Sequence, residues 1–456
     1  MTKKTRLIII TVCAILFLII TPYIILFSLG YRVDFKNLKI VGTGGIYIKA
    51  YPKEVNITID SNINDKTSVF SNSFFTQNLL PTNHSIVIKK DGYYDYQKNL
   101  VVKENEVTKL EHINLIKQNI LFTLLENNID YFYITPNGKN LLTAKIANQK
   151  INFQTLNLEN QDKNNFYLDI QSKKITDLKW SADSSKALLN VEGNYFLLQP
   201  FLENPTITVL PILSGVKEIY FNPKNSEEIL FIKNKNLYSN NKDLPIIKNI
   251  ITYQINDTTI TWLSYDGFLY NFDIKSLATN KITLKVFLIK TFASYKIITN
   301  SNETLLKENE SLFLLNQKSL AFENFYGPVN DFKVSPDGQK ILYYNDHEIL
   351  YSYLNYANLN LLTQAGKISL NKFSQQISEC YWLGDNYIIF KLEDKITISE
   401  IDNRGNINII SLPETLSLDS GTKTTIKNPQ IFFNQQDKKL YILNQNNIFS
   451  SETLLP

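Results

Sequence analysis

Two patterns of apolar and polar positions divide this chain. Positions 7–29 form one apolar run with no charged residue. As a helix at 1.5 Å per residue the run reaches about 34 Å, enough to cross a hydrocarbon core about 30 Å thick. It predicts a single transmembrane helix, in which Pro22 is tolerated. No second run of this kind follows. Downstream the apolar residues come in short bursts. In Val55-Asn56-Ile57-Thr58-Ile59-Asp60 they alternate strictly with polar ones, the signature of a strand with one face on a core. Further strands are predicted at 84–89, 97–103 and 107–115, parted by the turn-formers Pro81-Thr82-Asn83 and Asp91-Gly92. Nothing here has a helical period, so 45–116 reads as a small β-sandwich. Residues 30–44 read as a flexible linker leading into Gly42-Thr43-Gly44-Gly45. Tyr47 stands where a dinucleotide fingerprint would need its third glycine.

From about residue 119 one unit recurs: turn, apolar strand, turn, strand. The strands near Leu141, Ala187, Ile229, Ile260, Leu305, Ile341, Ile388 and Leu440 are taken as the first of each unit, and they recur about every 43 residues. That is the length of a four-stranded propeller blade. A solenoid would repeat at a shorter period, and paired sandwiches would not hold one spacing so far. The predicted fold is therefore all-β apart from one N-terminal transmembrane helix, with a seven- or eight-bladed β-propeller over 119–456.

Charge orients the chain. Residues 1–6 hold Lys3, Lys4 and Arg6 and no acid, which places the N-terminus in the cytoplasm and the bulk of the chain outside it. Arg32, Lys36 and Lys39 weaken the contrast across the span, but long domains translocate largely regardless of charge. The run exceeds the roughly 7–15 residues of a signal-peptide core, which favours an uncleaved anchor. Ser28 and Gly30, spaced like a cleavage site, leave cleavage open. Without its N-terminal cluster the chain is almost neutral (Lys+Arg 47 against Asp+Glu 43 in all), which argues against a nucleic-acid binder. Cys13 lies in the span and Cys380 in the body, so no intramolecular disulfide is expected. Sequons such as Asn56-Ile57-Thr58 and Asn302-Glu303-Thr304 arise by chance in so Asn-rich a chain.

Two resemblances follow from particular residues. Pro52 to Asp60, Leu80-Pro81, Ile86-Val87-Ile88, Asp91-Gly92-Tyr93 with Tyr96, and Leu100-Val101-Val102 resemble a PEGA domain, although Pro52-Lys53-Glu54-Val55 replaces its name-giving motif. That resemblance implies a small β-sandwich of cell-surface proteins, with no catalytic or binding residues to transfer. Asp331 to Tyr344, containing Ser335-Pro336-Asp337-Gly338, is the best copy of a second pattern. Weaker copies run from Tyr133 through Pro136-Asn137-Gly138 to Leu142, from Leu178 through Trp180-Ser181 and Lys186 to Leu189, and over Tyr220-Phe221-Asn222-Pro223. These resemble the TolB-like, WD40-like propeller repeat.

No chemistry stands out. His84, His112 and His347 lie far from one another and from any cysteine, so no local zinc pair exists. His84 and His112 are read as solvated strand residues. His347 follows Asp346, but the nucleophile elbow of a Ser-His-Asp hydrolase is missing. Asp337-Gly338 reads as a turn rather than a calcium loop, and Cys380 as a small buried hydrophobe. The expectation is that there are no catalytic, cofactor-binding or metal residues. It is of a non-catalytic, membrane-anchored envelope scaffold or adhesion protein with a protein or carbohydrate partner. The alternative is a receptor-like binder that takes carbohydrate or peptide at the propeller mouth; a propeller enzyme is the third reading. Surplus rings among the 26 Tyr and 27 Phe are the candidates for such a mouth.

Overall fold

The computed structural model describes residues 3–34, 38–172, 174–299, 303–354 and 367–455. Asn302 of the second sequon, Lys36 of the linker, and Met1, Thr2 and Pro456 lie outside them. The described chain forms two compact units. The first holds Met1–Ile120, Ser399–Ile410 and Leu454–Pro456; the second holds Leu121–Ile398 and Ser411–Thr453.

The first unit opens with the helix Lys3–Ser28, none of whose side chains is buried. It is long and apolar enough to cross a membrane, with a mean hydropathy of 2.8 over its most apolar window. A protein core does not explain that apolarity, since the helix packs into none; a signal sequence would meet the same test. Two sheets follow. One has the strand order Ser73–Leu79, Gly44–Tyr51, Val107–Asn114, and the other Ile63–Lys66, Asn56–Ile59, Asn83–Lys89, Tyr96–Val101. Ile46, Ile48 and Leu110 of the first sheet share one core with Ile57, Ile59, Ile86 and Ile88 of the second. The alternation predicted for 55–60 is observed: Ile57 and Ile59 are buried while Asn56 is exposed. Within the predicted linker, Tyr31–Asp34 and Lys39–Gly42 pair as an antiparallel hairpin. The glycines that suggested a joint open a strand instead. A Cβ on Gly44 would lie 2.3 Å from the Lys103 carbonyl, so close approach of backbone, not flexibility, requires glycine there.

Eight sheets follow in chain order, antiparallel but for one pair in the last, where Leu121–Glu126 runs parallel to Thr415–Leu418. Seven are successive four-stranded meanders over residues 131–169, 177–209, 217–248, 250–281, 295–326, 331–372 and 377–411, here blades 1 to 7. Blade 8 joins both ends of the unit: Leu121–Glu126 pairs with Asn447–Ser451, which continues through Lys439–Asn444 to Gln430–Asn434.

Contacts between neighbouring blades close the ring. Phe153 and Leu142 of blade 1 share a core with Leu189 and Leu198 of blade 2, and Leu188 of blade 2 with Phe221 of blade 3. Leu230 of blade 3 shares one with Trp262 of blade 4, Leu263 of blade 4 with Ile297 of blade 5, and Leu314 of blade 5 with Tyr343 of blade 6. Trp382 Nε1 of blade 7 donates to the Lys333 carbonyl of blade 6 at 2.9 Å. Lys391 Nζ of blade 7 donates to the Pro429 carbonyl at the entry to blade 8 at 2.7 Å. Tyr441 and Ile448 of blade 8 complete the circle on Leu141 and Leu156 of blade 1. A closed ring of radially repeated four-stranded sheets is a β-propeller, here with eight blades.

The eight apolar strands counted in the sequence are all present, one per blade, but each is the second strand of its sheet. Second strands are flanked on both edges and packed on both faces. Lys340–Tyr344 and Tyr387–Leu392 are buried along their whole length. The true first strands precede them and line the axis.

The Ser-Pro-Asp-Gly turn links first strand to second. Ser335 Oγ accepts from Lys340 N at 2.9 Å, and Asp337 Oδ1 accepts from Gln339 N at 2.9 Å. Ser181 with Asp183 and Thr135 with Asn137 repeat this network in blades 2 and 1. The aspartate therefore serves a turn, through its side-chain acceptors.

Candidate functional site

The first strands of several blades place charged residues beside second strands that are mostly buried and apolar. Blade 2 begins Asp177-Leu178-Lys179, and blade 3 has Glu218-Ile219-Tyr220. Blade 6 begins Asp331-Phe332-Lys333, and blade 7 has Glu379-Cys380-Tyr381. The same pair of tripeptides thus occurs twice, four blades apart in a ring of eight, on opposite sides of the axis.

The contacts repeat as well. Lys179 Nζ stands over the Tyr220 ring at 4.2 Å, and Lys333 Nζ over Tyr381 at 3.4 Å. Each is a cation–π contact from one blade to the next. Lys296 of blade 5 adds a longer one, 5.5 Å from the Phe332 ring. Lys179 also donates to the Ile219 carbonyl at 3.2 Å and has Asp177 at 3.8 Å. The carboxylates are partly engaged. Glu218 Oε2 accepts from Thr252 Oγ1 at 2.8 Å, and Glu379 accepts from Lys391 at 3.1 Å and from Ile431 N at 2.9 Å.

Burial and like charge act together on the amines. Burial pushes Lys179 below the usual lysine range, against the pull of Asp177 and Glu218, and the Lys296 charge pushes it further. Lys333 is lowered by burial first, with Lys296 again contributing. Lys307 of the second strand of blade 5 is lowered by burial and by Lys296. Lys296 is therefore within electrostatic reach of three other amines. Burial raises the Glu218 carboxyl, and it lifts the Tyr220 phenol to about 12. Among the described residues Lys296, Lys307 and Lys333 have no carboxylate within ion-pair distance. Amines beside tyrosine rings suit an incoming carboxylate or phosphate.

A second feature lies outside the ring. Between blades 4 and 5, residues 282–294 run as an extended strap rather than a strand. Phe287 N donates to the Gly267 carbonyl at 2.8 Å, and the Phe287 ring packs on Phe313 at 4.9 Å. Leu284 N donates to the Leu320 carbonyl at 2.8 Å. With Phe287 turned in, the alternate residues turn out: Leu284 is 69 % exposed, Leu288 81 % and Phe292 102 %.

Of the histidines and cysteines weighed in the sequence only Cys380 enters either feature; it is buried beside Tyr381, with its thiol pushed up to about 12 by burial. His84 is buried, not solvated: its Nδ1 meets Asp60 Oδ2 and its Nε2 the Leu80 carbonyl at 2.8 Å, so both nitrogens are engaged. His112 and His347 are exposed. Among the described residues no three His, Cys, Asp or Glu side chains are placed to hold a metal. The inner lysines and tyrosines were missed, although aligning Asp177-x-Lys179-x-Ser181-x-Asp183 with Asp331-x-Lys333-x-Ser335-x-Asp337 reveals the repeat.

No family model matches the chain, and no curated protein matches it. Among solved structures it is similar to the Cps50 (Swd1) β-propeller domain of Myceliophteria thermophila, at 13 % identity and a TM-score of 0.40 over 73 % of this chain and 99 % of that one. It is also similar to the computationally designed protein Ika8, at 10 % identity and a TM-score of 0.45 over 74 % and 99 %. Hsv2p of Kluyveromyces lactis follows at 11 % identity and 0.39 over 63 % and 98 %. Identification of the fold rests on the closed order of the sheets.

Proposed function

We propose that the chain is a membrane-anchored, non-catalytic interaction scaffold. In this reading the helix Lys3–Ser28 is the anchor, its N-terminus is cytoplasmic, and the propeller works outside the membrane. The two-sheet unit serves as a PEGA-like spacer. One observation carries the reading: the strap holds Leu284, Leu288 and Phe292 in water on a segment pinned by backbone hydrogen bonds. Large apolar side chains exposed along one segment mark protein contact surfaces. Their pinning lowers the ordering cost of docking. The test is a photo-reactive residue at position 288 of the full chain, expressed in cells. A discrete protein adduct that Phe292→Asp removes supports the reading. Crosslinks to lipid alone, or none, contradict it.

A second reading, a receptor-like mouth, is favoured by the inner lysines that lack a carboxylate. In it the ring takes the acidic groups of a ligand such as an acidic peptide. A poly-glutamate peptide that binds the wild type but not Lys333→Met supports this alternative; equal binding to both sinks it.

A further inference from the structure

Blades 1 and 8 do not pack together along their whole shared face. Leu141 and Leu156 of blade 1 meet Tyr441, Leu443 and Ile448 of blade 8 in an apolar contact. Further along the same face of blade 1 the side chains turn polar. The pairing register sets Thr143, Gln154 and Asn165 in one cross-strand row and Lys145, Asn152 and Tyr167 in the next. Here the blades part, leaving a cleft of about 410 Å³ between these rows and residues 126–129.

Two features mark the cleft as built to receive something. The first is an orphaned acceptor. Gln154 Nε2 donates to Asn165 Oδ1 at 3.0 Å, while Gln154 Oε1 is buried and has no partner. A buried polar atom left unpaired costs stability unless a guest or water completes it. The second is charge balance. Lys145 is paired with Asp130 at 3.1 Å, Glu126 with Lys163 at 2.7 Å, and Lys150 with Asp169 at 3.0 Å. With its charges matched internally, the cleft offers an ion no net attraction. What remains are amides that both donate and accept, and the Tyr167 ring, 56 % exposed with Lys150 Nζ 4.2 Å from its centroid.

We propose that this cleft binds a neutral oligosaccharide, with the Gln154 amide turning its enclosed Oε1 outward to accept from a sugar hydroxyl and a sugar face resting against Tyr167. Hydroxyls match donor–acceptor amides on both counts, and the C–H face of a pyranose suits an exposed ring. The site is separate from the strap and from the inner ring, and it stands whether or not either of those binds.

The experiment is saturation-transfer NMR on the full chain in detergent with three probes: chitotetraose, cellotetraose and maltotetraose. At least one gives transfer. Gln154→Leu weakens it about tenfold, the loss of one good hydrogen bond, while the thermal midpoint holds or rises because the orphaned acceptor is gone. Tyr167→Ala, a surface change, weakens the same probe. No transfer from any of the three overturns the proposal. So does transfer that survives unchanged in both variants.

Discussion

The first and second strands of each blade lie side by side, hydrogen-bonded over their length, yet they are made of different residues. In blade 6 the second strand, Lys340–Tyr344, is buried at every position, whereas Asp331–Val334 beside it buries only Phe332. In blade 2 the second strand has four buried positions of five, and the first strand exposes Asp177 and half-buries Lys179. A second strand is enclosed by partners on both edges and blades on both faces, so apolar burial decides its sequence. A first strand has one free edge on the axis, and its charged positions repeat across the ring. Stability is thus concentrated one strand away from the repeated charges, and the two can be changed separately.

The largest effect belongs to the second strands. Tyr343 is fully buried, its hydroxyl 3.1 Å from Ser352 Oγ and its ring 5.4 Å from Phe325. Tyr343→Ala leaves a cavity and an unpaired hydroxyl, and a loss of about 3–5 kcal/mol in urea unfolding is expected. A loss below about 1 kcal/mol would mean the second strands do not carry the core.

Next comes the strap. Gly267 has φ +81°, and a Cβ there would lie 2.3 Å from the Phe287 carbonyl. Gly267→Ala is expected to cost about 1–3 kcal/mol and to release the 282–294 segment, read as new proteolysis there with blades 1 to 3 still resistant. Unchanged proteolysis would show that the strap is held by something other than this approach.

The turns give a smaller, pH-dependent effect. Burial opposes ionisation of Asp337, but hydrogen bonds from Lys340, Ser335 and Gln339 outweigh it and hold the carboxyl below its usual range. A folded pKa below the unfolded one contributes stability that is fully present above about pH 4 and is lost as pH falls through the folded value. Asp337→Asn should therefore lower the thermal midpoint at pH 7 by a few degrees, about 1 kcal/mol or less. The gap from wild type should narrow as the pH is taken below about 4. A gap that stays constant down to that acidity would remove the carboxylate from the account.

The same contrast explains what the sequence disclosed. The count of eight apolar strands was legible because burial on both faces forces Ile, Leu, Val and aromatic residues into runs such as Ile388-Ile389-Phe390. Their position in the sheet was misjudged by one strand, because strands leading into them, such as Asp177–Trp180, are short and charged and do not stand out as apolar runs from which to count. In the small two-sheet unit the strand near 55–60 was visible through clean alternation. Ser73–Leu79 was not, because its exposed Phe75 and half-buried Phe74 blur the pattern. The inner lysines escaped notice since a lone Lys in a strand is ordinarily solvated; only the closing of the ring brings Lys179 and Lys333 each within electrostatic reach of Lys296. The amide cleft was equally hidden, since Gln154 gains its meaning from cross-strand register.

The most direct test of the division between buried second strands and charged first strands is the thermal unfolding of Lys333→Met beside wild type at neutral pH. Lys333 is half-buried, meets no carboxylate within ion-pair distance, and is held below its usual pKa by burial. Replacing it with an apolar side chain of similar length keeps contact with Tyr381 and removes the cost of a desolvated charge. The account predicts a midpoint equal to wild type or higher. A fall as large as that of Tyr343→Ala would show that the inner ring holds the fold together, and the separation of the two strands' roles would be wrong.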